Sequence, residues 1–249
     1  MKQFRADLHV HTVLSPCGDL EMSPVNIVEA AVLRNIDILG ITDHNSTKHC
    51  ALIKKMAEKK GVYVLCGVEI TTKEEIHCLA FFENNDSLVA FQEYLDTHLP
   101  DVKNRPDIFG HQVVVDEDEM ILEQVDQLLI SGLNQSIDEV QEVVHGLGGV
   151  FIPAHIDRPS YSLISQLGFI PDDLIVDAVE ISARTTKLEI TKRFPGLMPL
   201  AFIGNSDAHH PSAIGGRYTL LEMKEASFKE FTMALRGAGG RKVVGIVAG

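Results

Sequence analysis

Short apolar runs alternate with amphipathic segments along most of the chain. Runs rich in Ile, Val and Leu that end on polar residues predict buried strands at 37–44, 62–71, 149–155, 174–182 and 200–207, with further strands at 7–11, 76–82 and 217–222. Helical periodicity and helix start signals predict helices from 24, at 47–60, 87–98, 136–146 and 185–194, and from 227 to about 236. This strand–helix alternation, repeated about seven times, favours an α/β barrel.

Several helix boundaries carry recognisable signals. Ser23-Pro24 combines an N-cap residue with a first-turn proline, and capping boxes begin at Ser136 and Ser227. The Gly-rich stretch 237–240 lacks the context of a phosphate-binding loop and is interpreted as a helix stop.

The strand–helix alternation is interrupted in residues 84–134, which contain Pro100, Pro106 and Gly110. The acidic run 116–119 is interpreted as a solvated helix start, leading into a helix that reaches about residue 130. We therefore expect one barrel domain over 1–249, with a helical elaboration at about 84–134.

Composition narrows the classes of partner. The chain has 249 residues and a formal net charge of −13, which argues against long nucleic acids because phosphate backbones require a basic surface. Its four cysteines show no C-x-x-C spacing, so neither a zinc ribbon nor a disulfide framework is indicated. With no apolar segment long enough to cross a membrane, a cytoplasmic protein without membrane contact is expected. No oligomeric state is predicted.

The segment Asp7-Leu8-His9-Val10-His11 carries the first candidate chemistry. Two histidines at i and i+2 of a strand point to the same face, roughly 6–7 Å apart, so both imidazoles can reach one metal ion. Alone, such a pair is a weak signal, because exposed strands often carry polar residues.

Similar metal-capable residues recur at or near the ends of other predicted strands. They are Asp43, His44, Glu69, His77, His155, Asp207 and His209. In a barrel, strand ends converge on one face, where active sites form. The set is too large for one ion and suits two or three, and sites of nitrogen and oxygen ligands with several ions are typical of hydrolases.

These motifs resemble those of the PHP (polymerase and histidinol phosphatase) family of phosphoesterases. The matching segments are 7–12 (DLHVHT), 41–44 (ITDH), 67–69 (GVE), the isolated His77, 153–155 (PAH) and 206–209 (SDAH). The resemblance implies a distorted TIM-like (β/α)7 barrel with up to three divalent ions, manganese, iron or zinc. It also implies ligands His9, His11, Glu69 and Asp207 for a first ion, Glu69, His77 and His155 for a second, and His44 and His209 for a third.

The remaining ligand of the third ion is expected from the first loop, Ser15-Pro16-Cys17-Gly18-Asp19. The histidinol phosphatase branch has a histidine in this loop, which the chain lacks. Aligned on Pro24, Asp19 matches the aspartate of the nucleotide-phosphatase-like branch. We prefer Asp19, a hard ligand, over Cys17, and expect Asp7 to orient a ligand.

The function expected is hydrolysis of a small phosphomonoester, a nucleotide or sugar phosphate, by water activated between metal ions. Arg158 is the candidate for binding a phosphoryl oxygen, with Arg184 and Lys187 as weaker candidates, and Asp43 or a released histidine for protonating the leaving group. Alternatives are a 3′–5′ exonuclease or oligonucleotide phosphodiesterase, and a metal-binding module without catalysis. An amidohydrolase usually needs a metal-bridging lysine where this chain has Glu69.

Overall fold

Eleven strands and eight α-helices form in the part of the chain that the computed structural model describes, residues 1–171 and 173–249. The strands are β1 (Lys2–Val10), β2 (Ile38–Ile41), β3 (Tyr63–Thr71), β4 (His77–Phe82), β5 (Val113–Val115), β6 (Ile121–Gln124), β7 (Val150–Pro153), β8 (Val179–Glu180), β9 (Phe202–Ile203), β10 (Arg217–Met223) and β11 (Lys242–Ala248). The helices are α1 (Pro24–Leu33), α2 (Cys50–Glu58), α3 (Asn85–His98), α4 (Pro106–Phe109), α5 (Ile137–Gly146), α6 (Leu163–Leu167), α7 (Lys187–Arg193) and α8 (Phe228–Leu235).

Seven strands form one curled sheet in the order β11-β10-β1-β2-β3-β4-β7. Strands β1, β2 and β3 are parallel, whereas β10 and β4 run antiparallel to their neighbours β1 and β3. Strands β8 and β9 form a separate parallel pair, and a bridge between Val10 and Ala208 connects the end of β1 to the segment after β9. The molecule is therefore the distorted α/β barrel predicted, although its strands are not all parallel.

The antiparallel strand β4 explains how His77 reaches the same edge as the other strand ends. Thr71, the last residue of β3, pairs with His77, the first residue of β4. Strand β7 is antiparallel to β4, and its last residue, Pro153, pairs with Cys78. The start of β4 and the ends of β3 and β7 consequently meet at one edge, which also brings His155 there.

Apolar packing covers both faces of the sheet. Along β4, Phe81 belongs to a buried cluster with Phe231, whereas its neighbour Phe82 points to the other face and belongs to a second cluster with Phe91. Helices α2, α5 and α8 pack against β3, β7 and β10. Burial on both faces explains why the strands appear in the sequence as continuous apolar runs.

The predicted helix starts are largely as expected. Ser23 caps α1, and Ser136 with Glu139 forms a complete capping box at α5. At α8, Ser227 accepts a hydrogen bond from the amide of Glu230, but the Glu230 carboxylate accepts from Arg241 instead of closing the box. Only half of that capping box therefore forms.

Residues 84–134 contain helices α3 and α4 and a β5–β6 hairpin, so the predicted helix after the acidic run is wrong. Asp116 accepts hydrogen bonds at Oδ1 from the amides of Asp118 and Met120, both at 2.9 Å. Glu119 adopts a φ of 62°, in the left-handed region. The acidic run thus forms the turn of a hairpin, because its first carboxylate satisfies turn amides rather than a helix start.

The chain after α8 also departs from expectation. Gly237 has a φ of 63°, consistent with the predicted helix stop. The following β11, which pairs antiparallel with β10, was not predicted from the sequence. Within the described residues, none of the helices is both long and apolar enough to cross a membrane.

Candidate metal centre

His9 and His11 lie side by side at the end of β1, fully buried. Their Nε2 atoms are 3.2 Å apart. Strand β1 is held on both sides by β2 and β10, and the His11 amide donates to the carbonyl of Ala208 at 3.0 Å. The backbone therefore holds the two imidazoles facing one point, as the His-x-His spacing predicts.

The buried carboxylate of Glu69 lies among five imidazoles. Its Oε1 is 3.2 Å from Nε2 of His9, 2.9 Å from Nδ1 of His77 and 3.2 Å from Nε2 of His155. Its Oε2 is 3.3 Å from Nε2 of His11 and 3.2 Å from Nδ1 of His44. Because the two oxygens face different imidazoles, this one carboxylate can join two ions.

Asp207 completes the group around His9 and His11. Its Oδ1 lies 3.3 Å from Nε2 of each histidine. Its φ is 51° and that of His155 is 29°, both positive values that non-glycine residues rarely adopt. Such strain is concentrated at functional sites, where the surrounding structure holds the backbone in place.

These separations fit a shared cation. The neighbouring atoms of His9, His11, Glu69 and Asp207 are 3.2–3.3 Å apart, and ligands about 2.0–2.1 Å from one tetrahedral ion are separated by roughly 3.3–3.4 Å. Among the described residues, Nδ1 of His44, Nε2 of His77 and Nδ1 of His155 are buried without a hydrogen-bond partner. The Nδ1 of His44 faces the Glu69 carboxylate, so a cation would satisfy it.

The carboxylates of the cluster are held in the ionised form. Burial alone would raise the pKa of Glu69 and of Asp207, but the nearby imidazoles hold both well below their ordinary values. Burial likewise opposes protonation of His11, yet its hydrogen bonds to Asp207 and Glu69 prevail and raise its pKa to about 9. Two buried anionic groups among imidazoles form an environment that attracts cations.

Comparisons with known proteins agree with this arrangement. Residues 7–162 match the sequence profile of the PHP domain, and residues 190–238 match that of a PHP-associated region. The chain belongs to the PHP family. The first matched range contains His9, His11, Glu69 and His155, and the second contains Asp207.

Two relatives share only part of their length with this PHP protein. YqxK of Bacillus subtilis (strain 168) is 28% identical over 279 aligned positions, covering 98% of this chain and 65% of YqxK. MJ1587 of Methanocaldococcus jannaschii is 37% identical over 91 residues, covering 33% of this chain and 52% of MJ1587. The chain thus spans less than two thirds of the length of either relative.

Solved structures share the PHP fold. The lesion-specific endonuclease PfuEndoQ from Pyrococcus furiosus matches with a TM-score of 0.71 at 21% identity, covering 98% of this chain and 58% of the endonuclease. A protein from Bifidobacterium adolescentis, assigned as a metal-dependent phosphoesterase, matches with a TM-score of 0.54 at 24% identity, covering 83% and 88%. The endonuclease acts on DNA, so the shared fold does not support excluding long nucleic acids as partners of this chain. That exclusion stays a prediction from the net charge.

The first loop of this PHP domain places Cys17, not Asp19, against the histidine cluster. Ligand atoms of His11, Cys17, His44 and His209 lie within 4.8 Å of one another. Asp19 instead accepts a hydrogen bond from the amide of Glu21 at 2.8 Å, on the exposed side of the loop. The amide of Gly18 donates to Ser15, so the loop turns before it reaches Asp19. The predicted placement of Asp19 is corrected accordingly.

Asp43, predicted as a leaving-group acid, faces away from the cluster. Its Oδ1 accepts from the Thr12 amide and the Ser15 hydroxyl, both at 2.7 Å, and its Oδ2 accepts from the Thr12 hydroxyl at 2.8 Å. Because Ser15 donates to Asp43, it accepts from Nδ1 of His11 at 2.9 Å. That bond leaves Nε2 of His11 free for a cation. Asp43 thus holds Ser15, which in turn contacts His11.

Glu180 has a similar role for His9 and was missed from the sequence. Its Oε2 lies 3.0 Å from Nδ1 of His9 and accepts from the amide of His155 at 3.0 Å, and its Oε1 accepts from Asn205 at 2.7 Å. A carboxylate on the outer nitrogen of a ligand histidine orients the ring and fixes its tautomer. The signal was present, because Val179-Glu180-Ile181 repeats Val68-Glu69-Ile70.

The predicted phosphate-binding residues divide into two groups. Arg158 reaches the cluster, with Nη2 2.6 Å from Oδ2 of Asp207. Lys187 does not, because its Nζ donates to the carbonyl of Leu200 and lies 4.7 Å from the centre of the Phe202 ring. Arg184 is exposed. Arg158 is thus the predicted basic residue that borders the cluster.

Proposed function

We propose that the protein is a metal-dependent phosphoesterase that hydrolyses a small phosphomonoester. The observation that carries the proposal is the Glu69 carboxylate, whose oxygens each lie within 3.3 Å of imidazole nitrogens from different strands. A buried carboxylate between histidines suits neighbouring divalent ions, and such sites are typical of phosphatases.

The residues group into three sites. The first would be held by His9, His11, Glu69 and Asp207, the second by Glu69, His77 and His155, and the third by His44, His209 and Cys17. Divalent ions supply Lewis acidity there, which lowers the pKa of water and neutralises charge on phosphoryl oxygens.

Side chains next to the candidate ligands would orient the imidazoles and the substrate for this chemistry. Glu180 and Ser15 keep the outer nitrogens of His9 and His11 protonated, so that both Nε2 atoms face the centre. Arg158, which contacts Asp207, is positioned to hold a non-bridging phosphoryl oxygen through its fork of N–H donors. A phosphoryl group would thus be oriented by the histidine-lined centre on one side and by Arg158 on the other.

A small substrate is favoured over a long nucleic acid. Acidic residues outnumber lysine and arginine by 35 to 22, which opposes binding of a polyanion. The alternative, a nuclease or oligonucleotide phosphodiesterase, is supported by the fold shared with PfuEndoQ and predicts the opposite substrate order.

The deciding experiment is a substrate screen on protein of measured metal content. It compares phosphomonoesters, phosphodiesters and short oligonucleotides, with Glu69→Gln as the inactive variant and Glu83→Gln, at an exposed position, as its matched control. We expect monoesters to be preferred and Glu69→Gln alone to lose activity. Preferred cleavage of diesters or oligonucleotides would overturn the substrate assignment. If none of the phosphate esters were hydrolysed, the proposed phosphoesterase activity itself would be overturned.

A further inference from the structure

A cavity of about 320 Å³ adjoins the candidate metal centre. It is lined by His155 and Asp207 of the centre, together with Glu180, Arg158 and Arg217. A space of this size matches the lower range of small-molecule sites. The cavity therefore extends the centre toward a second guanidinium group.

Arg217, at the start of β10, is a half-buried cation that lies near Glu180 and Asp157 but makes no ion pair among the described residues. It donates from Nη1 to the carbonyl of Ile181. In the described residues, no carboxylate forms an ion pair with Arg217 within 4.0 Å, whereas Arg158 is paired with Asp207 and Arg241 with Glu230. Removing a charge from water without a partner is unfavourable, so an anion from outside would satisfy this group.

The guanidinium of Arg217 packs closely against the backbone at Gly204. A Cβ atom on Gly204 would lie 2.7 Å from Cγ2 of Ile246 and 2.8 Å from both Cζ and Nη1 of Arg217, so a residue other than glycine would force these side chains to move. Gly204 is held in turn by Thr219, whose hydroxyl accepts from the Gly204 amide at 3.0 Å. The Ile181 carbonyl and Gly204 together form a cradle for one planar cation.

The carboxylates close to Arg217 are occupied by other donors. Glu180 accepts hydrogen bonds from His9 and Asn205, and Asp157 accepts from the amide and hydroxyl of Ser182 at 2.7 and 2.5 Å. Neither acid needs Arg217 to satisfy its oxygens. The free donors of Arg217 are thus available to a ligand in the cavity.

We propose that Arg217 binds a second phosphate of the substrate, which makes small bisphosphates the preferred substrate class. This inference rests on the proposed phosphomonoesterase function. Arg158, paired with Asp207 at the centre, contacts the phosphoryl group that is cleaved, and Arg217 holds the phosphate that is retained. The role of Arg217 is therefore to determine specificity.

Binding of non-hydrolysable phosphonates tests the proposal. Isothermal titration calorimetry on the metal-loaded protein compares α,ω-alkane diphosphonates of increasing chain length with the matching alkyl monophosphonates. We expect at least one diphosphonate to bind about 10- to 100-fold more tightly than its monophosphonate, the range of a charge-assisted hydrogen bond. This advantage should disappear in Arg217→Met and persist in Arg193→Met, which removes an exposed arginine on α7.

A second variant keeps the charge of Arg217 and crowds its guanidinium, together with Cγ2 of Ile246. Gly204→Ala should also abolish the diphosphonate advantage, and circular dichroism confirms that each variant is folded. The absence of a diphosphonate advantage in the wild type, or its persistence in Arg217→Met, would overturn the proposal. Because phosphonates are not hydrolysed, the test does not depend on turnover. Hydrolysis of p-nitrophenyl phosphate without a diphosphonate advantage would remove the second phosphate site and retain the proposed phosphomonoesterase.

Discussion

The Sγ atom of Cys17 lies 3.1 Å from Nε2 of His209. This contact brings a thiol to a group of imidazoles that otherwise offers only nitrogen ligands. Thiolates favour zinc and iron over manganese, so the third site is expected to differ in metal preference from the other two.

Cobalt substitution tests whether Cys17 is a ligand. The Co²⁺-loaded wild type should show a near-ultraviolet sulfur-to-cobalt charge-transfer band, because a thiolate is directly bound. Cys17→Ser should lose the band, whereas Asp19→Asn should retain it. An unchanged band in Cys17→Ser would contradict the assignment, as would its loss in Asp19→Asn alone.

The hydrogen bonds of Asp43 predict a result that separates positioning from acid catalysis. Loss of a general acid harms substrates with poor leaving groups far more than those with good ones. Asp43→Asn should instead reduce hydrolysis of p-nitrophenyl phosphate and of an alkyl phosphate by a similar factor, because both depend on the orientation of His11. If Asp43→Asn lost activity toward the alkyl phosphate but kept it toward p-nitrophenyl phosphate, Asp43 would instead be the general acid.

Glu180 predicts a loss of metal affinity without direct metal contact. Glu180→Gln should weaken binding of Zn²⁺ or Mn²⁺ by about 10- to 100-fold, because His9 loses its charged orienting partner. Competition with a metal indicator measures the effect, and Glu225→Gln, at an exposed position, is the control. Unchanged affinity in folded Glu180→Gln would show that the hydrogen bond is not required.

A pH-dependent contribution to stability is expected far from the centre. The side-chain hydrogen bonds from Arg241 lower the pKa of Glu230 from 4.5 to about 2. A lowered carboxyl pKa stabilises the folded state above the unfolded value, so this contribution is present above pH 4.5 and is lost as pH falls toward 2. Thermal unfolding at neutral and acidic pH should therefore show a smaller acid-induced decrease in Glu230→Gln than in the wild type. An equal decrease would exclude this pair as a contributor.

Much of the candidate centre could be predicted from strand-end motifs. His9 and His11 lie together because a strand places i and i+2 on one face, and Glu69 lies near the end of the buried strand β3. His77 is an exception, since it reaches the cluster from the start of β4 through antiparallel pairing that no local pattern specifies.

Features that depend on tertiary hydrogen bonds could not be predicted from the sequence. Asp116 forms turn bonds where its acidic neighbours suggested a helix, and Asp43 has its oxygens satisfied by Thr12 and Ser15. Arg217 became a candidate ligand-binding residue only because the structure shows it close to Gly204 and without an ion pair among the described residues. A single sequence records none of these distances, so neither the bonds of Asp43 nor the exposed position of Asp19 could be predicted from it.

The most direct test of the account is removal and restoration of the metal. Phosphomonoester hydrolysis and bound metal are measured on the same samples before chelation, after chelation and after addition of manganese, iron or zinc. Activity should fall in proportion to the metal removed and return with at least one of these ions, because Glu69 and its histidines would hold the ions that activate water. Full activity in metal-free protein would contradict the account.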